Sequence, residues 1–199
     1  MFYLFPETII IQIESQKKAG NKARNGERRD VLMAIRDILL LGNENLYRIC
    51  GEVREEDAAK AARIIQDLHD TMLEFRRKYG FGRAIAAPQI DEPYRILYMN
   101  FEGNSIAFIN PVIGFPDDER FEMWDDCMSF PGLEVRLKRY RKCKVQYRDQ
   151  EWKLSTVDFE GDLAELFQHE YDHLDGILAV QKAVDNKALR INRSKSGCF

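Results

Sequence analysis

Apolar residues recur along this chain in two rhythms. From Glu55 to Tyr79, Ala61, Ile65, Leu68, Met72 and Phe75 are spaced by four and three, charged residues fill the opposite positions, and Gly80 follows. That pattern predicts one long amphipathic helix stopped by a glycine. A second helical run opens at Asp162, with Leu163, Leu166 and Phe167 at helical spacing and Gly176 as its stop. Between the two lie strand-like runs at Tyr94 to Phe101, Ile106 to Ile113, Val135 to Tyr147 and Trp152 to Phe159, separated by turn residues such as Gly103-Asn104 and Arg148-Asp149-Gln150. One long helix early, a shorter one late and strands between them predict an α+β fold with mainly antiparallel strands around the later helix.

Composition narrows the setting. A chain of 199 residues that is 45% hydrophobic can bury one full core, and a net charge of -3 supplies no long-range field for nucleic acid. The opening run Met1 to Pro6 has no basic stretch before it, Pro6 and Glu7 interrupt it, and Thr8 to Ile13 reads as a short strand. Neither a membrane span nor a signal peptide is expected. Lys17 to Asp30 is basic and carries Gly20, Asn21, Asn25 and Gly26. It reads as a solvated arm, with an RNA-binding or ribosome-contacting arm as the alternative. The expected organisation is therefore an extension over residues 1–30 and a single domain over 31–199. Cys50, Cys127, Cys143 and Cys198 form no C-x-x-C pair, which suits a reducing, cytoplasmic compartment.

The later helix carries Gln168-His169-Glu170-Tyr171-Asp172-His173-Leu174-Asp175-Gly176. Two of the chain's three histidines fall four residues apart there, so their imidazoles stack on one face and can share a divalent ion. Glu170, about a third of a turn away, can take a proton from water activated by that ion without being a ligand. A solvated helix face is the ordinary alternative for such a string, but the scarcity of histidine and the apolar opposite face favour a metal site. His69 adjoins the stripe of the first helix with no partner four residues on, the pattern of a boundary residue. Cys127 lies in the turn-rich stretch Asp125 to Gly132 and is either a buried free thiol or the third ligand of a Cys-His-His site with an open fourth position. The small residues from Gly80 to Gln89 predict an extended segment, read either as a substrate edge or as a glycine-rich turn packed on the core.

Three segments, Gly82-Arg83-Ala84-Ile85-Ala86-Ala87-Pro88-Gln89, Asp125-Asp126-Cys127-Met128-Ser129 and Gln168 to Gly176, together resemble the peptide deformylase family. The likeness also takes in Ile35 to Val53 and runs to about Val184. The resemblance implies that Cys127, His169 and His173 hold one divalent metal per chain, iron(II) natively and zinc or nickel as substitutes. It implies that Glu170 is the general base and acid, that Gln89 and the Met128 N–H stabilise an oxyanion, that Gly82 borders the substrate, and that the substrate is an N-formylated peptide from which formate is released. Oligomeric state stays open. Two residues depart from the family pattern. Ala84 replaces a glycine, which excludes a positive φ there and adds a methyl group near the substrate path; Asp126 replaces the glycine before the thiolate and brings a carboxylate to the substrate side. The readings that follow are a working deformylase or close amidase, with activity on formyl-methionyl peptides reduced by Asp126, then a metal-retaining relative with altered acyl substrate or lost catalysis and a binding role, and, last, an unrelated H-E-x-x-H metallopeptidase.

Overall fold

The computed structural model describes residues 35–101 and 104–192. The expected strand Thr8 to Ile13, the basic arm Lys17 to Asp30 and Cys198 lie outside the described residues. Helix α1 spans Ala58–Tyr79, entered through a single 3-10 turn at Glu55–Asp57. Its stripe of Ala61, Ile65, Leu68, Met72 and Phe75 is buried, joined by Ile64. Gly80 closes the helix at φ 80°, its N–H donating to the Arg76 carbonyl at 2.8 Å. That left-handed cap strongly favours glycine.

The strands form two antiparallel sheets. The larger is built from β1 (Ala84–Ala86), β2 (Ile96–Phe101), β3 (Asn104–Gly114), β6 (Lys142–Arg148) and β7 (Leu154–Glu160), in the order β1-β2-β3-β6-β7. The smaller consists of β4 (Arg120–Asp126), β5 (Leu133–Tyr140) and β8 (Leu189–Ile191), in the order β4-β5-β8. Helix α2, Asp162–Leu174, covers one face of the larger sheet and α1 covers the other.

Period-two alternation assigns the faces. Leu97, Met99 and Phe108 point to the α2 side with Val145, Tyr147, Val157 and Phe159, and meet Ala164, Leu166, Phe167 and Leu174. Ile96, Tyr98, Ala107 and Ile109 point the other way, onto Ile64, Ile65, Leu68 and Met72 of α1. Each such large side chain contributes about 1.5–3 kcal/mol on full burial, so apolar packing is the main hold of both helices on the sheet, and α1 adds hydrogen bonds between His69 and Tyr98 and from Arg76 to Asn100.

The structure corrects the expected strand pattern in two places and adds a detail in a third, the expected strand from Ile106 to Ile113. The run Val135 to Tyr147 is two strands, β5 and β6, which leave for different sheets at Arg141. No glycine or proline marks that corner; the backbone of Arg141 is instead tied to Glu119 and Gly161, each at 2.8 Å. Asp125 and Asp126, expected in a turn, end strand β4, where they pair with Val135 and Glu134. Strand β3 runs through Pro111 by shifting register between Ile109 and Val112. There Asn110 adopts φ 48° and its side chain satisfies both the N–H and the carbonyl of Val53, at 2.8 and 2.7 Å.

Helix α2 begins after Gly161 with Asp162 and Glu165 in its first turn, where the helix dipole favours carboxylates. Past its end, Gly176 sits at φ 70°, and a Cβ there would meet the Tyr47 carbonyl oxygen at 2.4 Å. Only glycine lets the chain turn this close to the Tyr47 backbone.

Candidate metal centre

On α2, His169 and His173 lie on one face with ring centroids 5.1 Å apart. Cys127 follows β4 directly, at the start of a turn in which its carbonyl accepts from Phe130 N–H at 3.2 Å. The ligating atoms of Cys127, His169 and His173 all lie within 4.8 Å of one another, and all three residues are buried. Cys127 Sγ is 3.3 Å from His173 Nε2. An edge of that length is close to the roughly 3.5 Å expected between a thiolate and an imidazole on one tetrahedral ion, given metal–sulfur and metal–nitrogen distances of about 2.3 and 2.0–2.1 Å. One sulfur and two nitrogens, dry and convergent, form a donor set that fits a divalent transition metal.

Gln89 joins this group from the 3-10 turn Ala87–Ile90 that follows β1. Its Oε1 accepts from Ala86 N–H at 2.8 Å, which turns the Nε2 donor toward Cys127 Sγ at 3.5 Å and Ser129 Oγ at 3.2 Å. The sulfur also receives Ser129 N–H at 3.4 Å. The extended segment of small residues thus leads to the site and packs on the core as well, since Ala84 to Gln89 are all buried.

Behind the histidines lies a buried ionic network. His169 Nδ1 is 2.9 Å from Asp125 Oδ1, which leaves Nε2 to face Cys127. Arg139 donates to Asp125 at 2.9 Å and to Asp172, and Asp172 is held in turn by Lys182 Nζ at 2.6 Å. Burial works to raise the Asp125 carboxyl, but His169 and Arg139 overcome it and hold the group well below the usual carboxylate range. Burial works to lower His169, and the charges of Asp125 and the Cys127 sulfur overcome it in the opposite direction, pulling His169 toward its cationic form. His173 is pushed far down by burial and by the neighbouring charge of His169. The pocket therefore attracts positive charge at His169 and keeps the second imidazole neutral, the state a metal ligand needs.

Glu170 is buried beside them, and its Oε2 has no hydrogen-bond partner among the described residues. Burial, together with the carboxylates of Asp125 and Glu165, pushes it up to about 7. A carboxyl poised near neutrality can both take and return a proton.

The group opens into a cavity of about 640 Å³ bordered by Gly82, Ala84, Asp126, Met128, Arg83 and Glu165. Gly82 has φ 119°, and a Cβ there would press on Met128 Sδ at 3.3 Å. Ala84, by contrast, is extended within β1, so the departure there costs no backbone strain. Asp126 is half-buried on the cavity wall. Every site residue expected from the sequence is thus at this one place.

Sequence reasoning missed Arg139 and the Arg83–Glu165 pair. A signal existed for both. Val135, Leu137 and Arg139 follow the inward alternation of β5, and all three are buried. Glu165 stands one turn before His169 on the same helix face, 2.8 Å from Arg83.

Comparison with known proteins agrees with this geometry. The sequence profile of the Polypeptide deformylase family matches residues 35–188. A peptide deformylase of Dictyoglomus turgidum is 34% identical over 159 residues, covering 80% of this chain and 97% of its own. The crystal structure of peptide deformylase from Thermotoga maritima matches with a TM-score of 0.69 at 28% identity, over 76% of this chain and 99% of that one. A Met-Ala-Ser-bound class I type b peptide deformylase from Acinetobacter baumannii matches with a TM-score of 0.70 at 26% identity, over 76% and 99% of the two chains. With the profile covering strands β1 to β7, both helices and all three converging ligand residues, the chain belongs to the polypeptide deformylase family.

Proposed function

We propose that this chain is a metal-dependent hydrolase that releases formate from N-formylated peptides, formyl-methionyl peptides among them. The observation that carries the reading is the convergence of Cys127, His169 and His173 within 4.8 Å, with Glu170 and Gln89 packed around them. Cys127, His169 and His173 would hold the ion, iron(II) as the native metal in this reading, with zinc or nickel as substitutes. When bound, the ion supplies Lewis acidity toward the formyl oxygen and lowers the pKa of water toward neutrality.

This chain's own residues do the rest. Glu170, held near neutrality by burial, takes the proton of the attacking water and passes it to the departing amine. The Gln89 amide, its orientation fixed by Ala86, and the N–H of Met128 donate to the oxygen on which negative charge develops. Asp125 holds His169 in one tautomer by accepting from its Nδ1, so that Nε2 is the ligating atom. Gly82 and Asp126 border the peptide as it enters. The catalytic domain begins at about residue 31, residues 1–30 form an extension to it, and the enzyme works in the cytoplasm.

The test is formate release from a formyl-Met-Ala peptide by anaerobically prepared protein of measured metal content. Release that scales with bound metal supports the assignment. A fully metal-loaded protein that releases none from any formylated peptide refutes it.

A further inference from the structure

The cavity beside Cys127, His169 and His173 has an ionic wall. Helix α2 lines it with Asp162, Glu165, Leu166 and His169, and the start of β1 lines it with Arg83. Arg83 Nη2 and Glu165 Oε1 are 2.8 Å apart, bridging the two elements. The pair is lopsided, because the Glu165 side chain is 6% exposed and that of Arg83 is 41% exposed. Asp126 faces the same space from β4. The second arginine on the cavity, Arg76, is committed elsewhere, donating to the Gly82 carbonyl at 2.8 Å and to the Asn100 carbonyl and side chain. Among the described residues, the carboxylates of Asp126, Asp162 and Glu165 border this wall, and Arg83 is the arginine paired with Glu165 there.

We propose that Glu165 and Arg83 set the substrate class of this site, selecting a formylated peptide whose first side chain carries a cation. The inference rests on the deformylase reading of the metal centre. In this proposal the side chain next to a formyl group at Cys127, His169 and Glu170 runs along the α2 wall of the cavity, where Glu165 stands one helical turn before His169. An apolar side chain seated there would strip water from the half-exposed Arg83 guanidinium and return no hydrogen bond. A lysine-like side chain lays its methylenes along Leu166 and brings its ammonium to Glu165, displacing or joining Arg83, with Asp126 and Asp162 adding attraction. An anionic side chain meets an excess of like charge.

The test compares formyl-Lys-Ala with formyl-norleucyl-Ala, which shares the four-carbon chain and lacks the amine. Binding is measured by calorimetry on the metal-loaded full chain carrying Glu170→Gln, so that neither peptide is consumed, and formate release is measured in parallel on the wild type. The lysyl peptide is expected to bind at least about tenfold more tightly, or about 1.4 kcal/mol. Glu165→Gln should remove that preference and Arg83→Gln should enlarge it, because the competing cation is gone. Equal or tighter binding of the norleucyl peptide, failure to bind either peptide, or a lysine preference that survives in a folded Glu165→Gln protein overturns the proposal. If Glu165→Gln fails to fold, the Arg83→Gln result decides, and an unchanged ratio there refutes it. Lysine-selective binding without formate release refutes the deformylase reading alone, and formate release with norleucine preferred refutes this inference alone.

Discussion

Asp125 is the residue on which the metal centre and the folded core depend together, and Asp125→Asn separates the two effects. The carboxylate accepts from Arg139 at 2.9 Å and from His169 Nδ1 at 2.9 Å, all within a region no more than 5% exposed. Asparagine keeps the shape and one acceptor oxygen, so His169 can still be oriented, but its amide turns a donor toward the Arg139 guanidinium. Breaking a buried ion pair by removing one partner costs about 3–5 kcal/mol. Arg139 retains Asp172 here, so about 2–3 kcal/mol of lost stability is expected. The second effect is on the ion. Loss of the charge behind a ligating imidazole lowers metal affinity by about 10–100-fold. Urea unfolding of the metal-free protein reads the first quantity, and chelator competition reads the second. Arg139→Met completes a double-mutant cycle, in which a coupling of at least about 1 kcal/mol is expected between the two positions. Stability within about 0.5 kcal/mol of wild type, together with unchanged chelator competition, would show that the Asp125 network neither supports the fold nor tunes His169.

Four further outcomes are expected. Cys127→Ala should lose tightly bound metal, since two imidazoles alone remain; full metal content in that protein removes Cys127 from the site. Glu170→Gln should keep the metal and lose several orders of magnitude in turnover, about 10²–10⁴ or more for a removed general base, and undiminished formate release would sink that role. Asp126→Gly should raise kcat/KM on formyl-methionyl peptides by about tenfold, or about 1.4 kcal/mol, because a carboxylate on the cavity wall need no longer be desolvated; no change would mean the side chain does not meet the peptide. Burial pushes the Cys143 thiol from 9.0 up to about 12, so at rising pH the unfolded chain ionises first and stability, full below pH 9.0, falls above it. At about one pH unit above that value the loss should be about 1.4 kcal/mol relative to Cys143→Ser measured in parallel, and equal pH profiles would contradict it.

What the sequence made legible is what depends on local spacing. The stripe of α1, its Gly80 stop, the placement of His169 and His173 on one face and the Gly176 turn all follow from residues within a few turns of one another, where helical geometry leaves little freedom. What it concealed depends on register between distant strands. Asp125 lies directly opposite Val135 in the β4–β5 ladder, and only that pairing brings Arg139 back across the sheet to reach both Asp125 and Asp172. The corner at Arg141 was invisible for a related reason, being held by backbone bonds to Glu119 and Gly161 rather than by a turn-forming residue.

The two departures from the family's motif glycines differ in physical weight. Ala84 is extended in β1 and pairs with Met99, so its Cβ occupies an ordinary strand position; the positive φ of this segment belongs to Gly82, two residues earlier. Asp126 also sits in a regular strand, opposite Glu134, so the backbone is indifferent to it as well. Its effect is therefore electrostatic, and it adds to Glu165 and Asp162 on a cavity whose depth is fixed by elements packed through Phe108, Phe167 and Met72. Because none of that packing uses Asp126, Asp162 or Glu165, charge at those three positions can change without disturbing the scaffold that positions Cys127, His169 and His173.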